Sequence, residues 1–182
     1  MRRFESGCPE RKEDALEADP FASRVRDCVE CDREAPGHSK YTRVTFAQAL
    51  LDLKKKADED GAGAAEASFR LATGLYNASA YGNAREVASS VSMEPRKDMK
   101  LVEKYAKRAM ERAGNREKKA AACFLGAKAE QNRYYASTGE NIDPTAVHSP
   151  VYFQRLKDSY SDTQYYQEVI RECGYFRRYL GR

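Results

Sequence analysis

Residues 64–76 read Ala64-Ala65-Glu66-Ala67-Ser68-Phe69-Arg70-Leu71-Ala72-Thr73-Gly74-Leu75-Tyr76. Ala65, Phe69, Ala72 and Tyr76 recur at steps of four and three, and Ala67, Leu71 and Leu75 lie beside them. That spacing gathers side chains on one face of an α-helix. A helix with one apolar face must cover it with a neighbour, so the flanking sequence should supply partner helices.

It does so on both sides. Upstream, Phe46, Leu50, Leu53 and Ala57 share a helical face. Thr45-Phe46-Ala47-Gln48 before them has the form of a capping box, and Gly61 and Gly63 end the run. Downstream, Ala80-Tyr81-Gly82-Asn83 reads as a turn. A third helix is expected over 96–113, with Val102, Ala106, Ala109 and Ala113 inward. Gly114-Asn115 is a stop and a new cap, and a fourth helix begins at Arg116. Its small residues, Ala120-Ala121-Ala122 and Gly126-Ala127, allow close approach of a neighbour. After a loop at 137–147, Ser149-Pro150 opens a fifth helix with Pro at its first position. Ser161-Asp162-Thr163-Gln164 opens a sixth in the form of a second capping box.

Residues 1–41 have no sustained period. Cys8-Pro9, Asp19-Pro20 and Ala35-Pro36-Gly37 interrupt them; one short helix is expected near Arg11 to Ala18, and the rest reads as an arm that is extended or loosely packed. The expectation is an all-α fold of six or so helices in antiparallel hairpins over 42–182, preceded by an irregular N-terminal arm over 1–41.

Composition agrees. Charged residues make up 33% of the chain and hydrophobic ones 41%, as suits helices that each keep one face in water. Long strands rich in Val, Ile and Thr are absent, which argues against an all-β fold. No run approaches the roughly 20 apolar residues of a membrane span. Glu5, Glu10 and Glu13 stand where a signal peptide would be apolar, so a soluble chain without a signal is expected and the compartment is left open. Five scattered Cys do not form a small disulfide scaffold. The net charge of +4 is unevenly spread: 1–95 carries −3, 96–134 carries +7 and 135–182 is neutral.

Ala65 to Tyr76 resembles the first helix of a tetratricopeptide repeat, with Tyr81 where that family places its turn aromatic. A second copy lies at Ala122-Cys123-Phe124-Leu125-Gly126-Ala127-Lys128-Ala129, whose Leu125-Gly126 matches the family's Leu-Gly and answers to Leu71-Ala72. The helices ending at Lys56-Ala57-Asp58 and Met110-Glu111-Arg112-Ala113 resemble the family's second helix. The copies lie 54 residues apart where the family's period is about 34, so the repeats are degenerate or 84–97 is inserted. The layout also resembles functionally uncharacterised bacterial helical proteins with an early Asp-Cys-x-x-Cys and a late Tyr-rich tail. The resemblance implies an α-α superhelix that acts as a non-enzymatic protein-interaction or scaffold module. Stacked hairpins of this kind leave a concave face free. The side chains expected there are Phe69, Tyr76, Tyr81, Tyr165 and Tyr166.

Two other constellations carry possible chemistry. Lys97, Lys100, Lys104, Lys107 and Arg108 fall on one side of the third helix and could neutralise the phosphates of a nucleic acid or other anionic polymer. Glu103 and Glu111 dilute them and no aromatics interleave, so a solvated face is the plainer reading. Cys28 and Cys31, with His38 nearby, could hold a structural Zn²⁺. No second close Cys pair completes the site, and Asp27, Glu30 and Asp32 disfavour a reactive thiolate. No cofactor is therefore expected. Only His38 and His148 are available as histidine bases, no Ser-His-acid set can be drawn, and no phosphate-binding loop is present. No catalytic residue is assigned.

Overall fold

The computed structural model describes residues 15–26, 39–89, 99–138 and 147–182. Over these the chain is helical and contains no strand. Six helices of nine or more residues are α1 (Arg43–Asp58), α2 (Ala64–Asn77), α4 (Lys100–Arg112), α5 (Arg116–Thr138), α6 (Pro150–Tyr160) and α7 (Gln164–Glu172). Two short ones are α3 (Glu86–Ser89) and α8 (Gly174–Tyr179). The all-α expectation holds among the described residues.

Each long helix packs chiefly on the next: α1 on α2, α2 on α4, α4 on α5 and α5 on α6. Two buried clusters result. One joins Ala57, Leu71, Tyr76, Val102, Tyr105 and Leu125; the other joins Met110, Cys123, Phe124, Tyr152, Phe153, Leu156, Val169 and Phe176. The 23-residue α5 contributes to both, and Phe69 of α2 packs against both.

The helix starts differ from the sequence reading in instructive ways. α1 is capped one turn earlier than expected, by Thr42 and not Thr45. Thr42 Oγ1 accepts from the Thr45 amide at 3.3 Å, and Thr45 Oγ1 accepts from the Thr42 amide at 2.8 Å. A short hydroxyl thus closes the box, and Gln48 instead donates to Asp52 at 3.0 Å. Asn115 caps α5 as expected, accepting from the Glu117 amide at 2.7 Å. Ser149 precedes α6, but its hydroxyl does not cap. It donates at 2.8 Å to Glu130 of α5, whose carboxylate also takes the Tyr152 amide at 3.3 Å. At α7 the cap is Thr163 and not Ser161. Here Glu117 accepts from the amides of Gln164 and Tyr165, both at 2.9 Å. The long helix therefore caps α6 and α7 through carboxylates placed where an N-terminus favours negative charge.

Residues 15–26 form an irregular strap laid on the helices, with a turn in which the Ala22 amide donates to the Asp19 carbonyl. Leu16, Ala18, Pro20 and Val25 are buried. Asn77 Nδ2 donates to the carbonyls of Pro20 and Ala22, each at 2.9 Å, and Leu16 exchanges backbone hydrogen bonds with Ser39 and Tyr41. Phe21 meets the rings of Tyr41 and Phe46 edge-on. A side chain at Gly74 would collide with it, since a Cβ there would stand 2.7 Å from the Phe21 ring.

Candidate functional site

Val25 and Arg26 of the strap lie at the junction of α2, α5 and the α7–α8 corner, where they help line a cavity of about 320 Å³. Val25 and Arg26 of the strap form one side and Tyr76 of α2 another. The floor is α5, through Phe124, Ala127 and Lys128. Phe153, Cys173 and Tyr175 close the far side. Aromatic and aliphatic walls with a few fixed polar groups are the usual make-up of a binding cavity.

The polar groups are held in place. Lys128 Nζ lies 4.3 Å over the Tyr76 ring and donates to the Arg24 carbonyl at 3.2 Å, tying strap to floor. Asn132 Nδ2 donates to the Tyr76 hydroxyl at 3.3 Å, and the Asn132 carbonyl accepts from the Tyr81 hydroxyl at 3.3 Å. Burial pushes the Tyr81 phenol up from its ordinary value, so it stays a neutral donor. Gln131 accepts from the His148 amide at 2.8 Å, and the His148 ring stacks on Tyr134.

Cys173 caps α8: its sulfur accepts from the Phe176 amide at 3.4 Å. Burial raises its thiol above the ordinary range, which keeps it protonated and a weak nucleophile near neutral pH. Cys123, in the core, is pushed up to about 12 by the same cause. Among the described residues no group of three or more His, Cys, Asp or Glu could hold a metal ion.

The five aromatic candidates do not form one groove. Tyr76 lines the cavity but is 2% exposed, with Lys128 over its ring. Tyr81 is half-buried and braces Tyr76 through Asn132. Phe69 lines a separate hollow of about 250 Å³ beside the Glu66–Lys118 ion pair. Tyr165 packs edge-on against Phe124, behind the cavity wall. Tyr166 is 8% exposed and meets Phe176 edge-on in the core, so it has little surface for a partner.

The basic stripe is only partly available. Lys100, Lys104 and Lys107 are exposed, but Lys107 approaches Glu111 at 4.0 Å. Arg108 lies 3.7 Å from both Asp58 and Asp60, and Arg112 pairs with Asp60 at 2.7 Å. The acidic end of α1 thus answers the cations of α4, a neutralisation invisible along the sequence because the partners are some 50 residues apart. Lys97, Cys28, Cys31 and His38 lie outside the described residues.

Sequence reasoning missed Val25, Arg26, Lys128 and Asn132 as site residues. The strap lacked a period, and the other two looked like ordinary polar positions of an amphipathic helix. Comparison of the chain with protein-family models, with curated proteins and with solved structures found no match.

Proposed function

We propose that this chain is a non-catalytic protein-interaction module of the tetratricopeptide-like kind, and that the strap-lined cavity is where it receives a side chain of its partner. The cavity itself carries the reading: it is bounded by rings, floored by the longest helix and rimmed by groups already fixed by hydrogen bonds. Pre-organised, partly apolar recesses of this sort seat the anchor residues of protein interfaces. The succession α2, α4, α5, α6, each packed on the next, supports the likeness to stacked helical hairpins.

Photocrosslinking tests it. p-Benzoylphenylalanine placed at Arg26, on the cavity rim, should capture a defined partner, and the same group at the exposed Lys157 of α6 should not. Gly174→Phe should abolish capture, because Gly174 lines the cavity and a Cβ there meets only the end of Arg177 at 3.9 Å. Equal labelling from positions 26 and 157, or capture that survives Gly174→Phe, would rule the cavity out.

A further inference from the structure

Asp58, the last residue of α1, meets Tyr105 at 3.2 Å and Arg108 at 3.7 Å on α4, and Asp60 just beyond it pairs with Arg112 at 2.7 Å. The contacts advance in the same direction along both helices, so α1 and α4 run parallel and bound a channel closed at this end. Seven residues are close to two helical turns. That step back from Asp58 and from Arg108 reaches Leu51 and Leu101 on the same two faces, 62% and 40% exposed. A further step back on α1 stands Val44, 64% exposed, with Ala47 exposed between. Among the described residues four large apolar side chains are exposed, and three of them belong to this channel. Lone apolar side chains are ordinary on a surface, whereas a row of them marks a contact site.

Charge says what covers the row. Four cations, Lys54, Lys104, Arg108 and Arg112, share the two carboxylates of Asp58 and Asp60 at the closed end. Lys55 and Lys104 are exposed and form no ion pair among the described residues. The complement of an apolar row edged with surplus cations is a row of leucines edged with carboxylates. We propose that the channel between α1 and α4 docks an amphipathic helix of a partner protein, leucine-faced and acidic at its edges. Anchors at helical spacing seat such a helix in a groove, and the edge charges select it. A second copy of this chain is a poor occupant, since a two-fold contact sets the same patch, and so the same lysines, against itself. No residue of the channel lines the strap-bound cavity, so the two surfaces stand or fall separately.

Fluorescence anisotropy of a labelled peptide, titrated with the full chain, tests the docking. The probe is fluorescein-Glu-Ala-Leu-Glu-Glu-Leu-Leu-Glu-Ala-Leu-Glu-Glu-Leu-Leu, whose leucines recur at steps of three and four. Its anisotropy should rise and saturate. Leu51→Glu and Lys104→Glu, both at exposed positions, should each weaken binding about tenfold or more. Val151→Glu, at the exposed apolar residue of α6, should leave it unchanged, as should Gly174→Phe in the cavity. Replacing every Glu of the probe by Gln should weaken binding, and so should added salt.

No binding, equal binding of the Gln analogue, or equal damage from Val151→Glu and Leu51→Glu overturns the proposal. Displacement of the probe by octathymidylate, or by phosphatidylglycerol vesicles, would give the face to a nucleic acid or a membrane instead. A chain that sediments as a dimer, and as a monomer once Leu51→Glu is introduced, would give it to a second copy. Loss of binding in Gly174→Phe would move the peptide to the cavity. A partner captured by crosslinking at Arg26, together with no binding of the probe, would sink the channel and leave the cavity reading standing.

Discussion

Gly82 passes the last turn of α2 so closely that a Cβ there would lie 2.2 Å from the Asn77 Cα and 2.5 Å from its carbonyl carbon. Backbone cannot step aside as a side chain can. Asn77 also grips the strap through Pro20 and Ala22, so a displacement would spread to the cavity rim. Gly126 is a milder case. Its Cβ would meet the Tyr152 ring at 2.5–2.9 Å, and that ring is buried. Overpacking there costs about 1–3 kcal/mol, offset by about 1 kcal/mol of helix propensity gained from Gly to Ala. Denaturant unfolding should therefore rank Gly82→Ala as the most damaging, Gly126→Ala as intermediate and Gly114→Ala, with open space around its Cβ, as near neutral. Equal midpoints for the Gly82 and Gly114 variants would contradict the close crossing. Both tight glycines were legible as punctuation or as small-residue contacts. What fills the space beside them was not, because Tyr152 and the Asn77 backbone are set by tertiary packing.

Elements in this chain are joined by long-range polar contacts that no local motif announces. Glu130 is buried beneath α6, accepting from Ser149 and Tyr152 from 19 and 22 residues away. Replacing it by Ala strands a buried hydroxyl and a helix-start amide, a loss of about 1.5–3 kcal/mol for hydrogen bonds to a charged group. Glu130→Gln keeps an acceptor and should recover much of that stability in the same unfolding assay. Were the Ala and Gln variants equally stable, the cap would contribute nothing. At the other end of the molecule Asp58 of α1 is held below its ordinary pKa, first by the Lys54 hydrogen bond at 2.7 Å. Burial opposes this, and donation from Tyr105 of α4 at 3.2 Å adds to it. A lowered carboxylate stabilises the fold above its unfolded pKa of about 3.9 and loses that contribution as pH falls through its folded value. The unfolding midpoint of the wild type should thus fall with acid more steeply than that of Asp58→Asn in the window below about pH 4. Parallel acid limbs would show that the Lys54 and Tyr105 contacts of Asp58 contribute nothing to stability. The sequence led to two capping boxes starting at Thr45 and Ser161, because a box is sought as Ser or Thr followed three residues on by Gln or Glu. The structure uses Thr42 and Thr163, and brings Glu117 in from 47 residues away. Periodicity finds helices; it does not find the carboxylate that caps one from its neighbour.

On the scale of the whole molecule, the apolar period was the reliable signal, because one-faced helices have few ways to bury that face other than against one another. The strap escaped it, having no period to read, and with it went Val25 and Arg26 of the cavity wall. The two core clusters give the molecule its cooperativity. Tyr105 and Ala106 of α4 serve one and Ala109 and Met110 the other. α5 divides likewise between Leu125 and Ala129 on one side and Cys123, Phe124 and Ala127 on the other. Phe69 packs against both. A defect in either cluster is therefore felt by helices that also build the other. Helix content followed by far-ultraviolet circular dichroism should melt together with the near-ultraviolet signal of the C-terminal aromatics, as expected of a two-state unit. Phe69→Ala should lower both transitions by the same amount, with a cost of about 2–4 kcal/mol for truncating a partly buried Phe. If the clusters were independent, the variant would separate the two curves, the α1–α2 half melting first while the Phe153–Phe176 rings kept their signal. Coincident curves displaced together mean that the walls of the cavity, drawn from α2, α5, α6 and α8, stand or fall as one body.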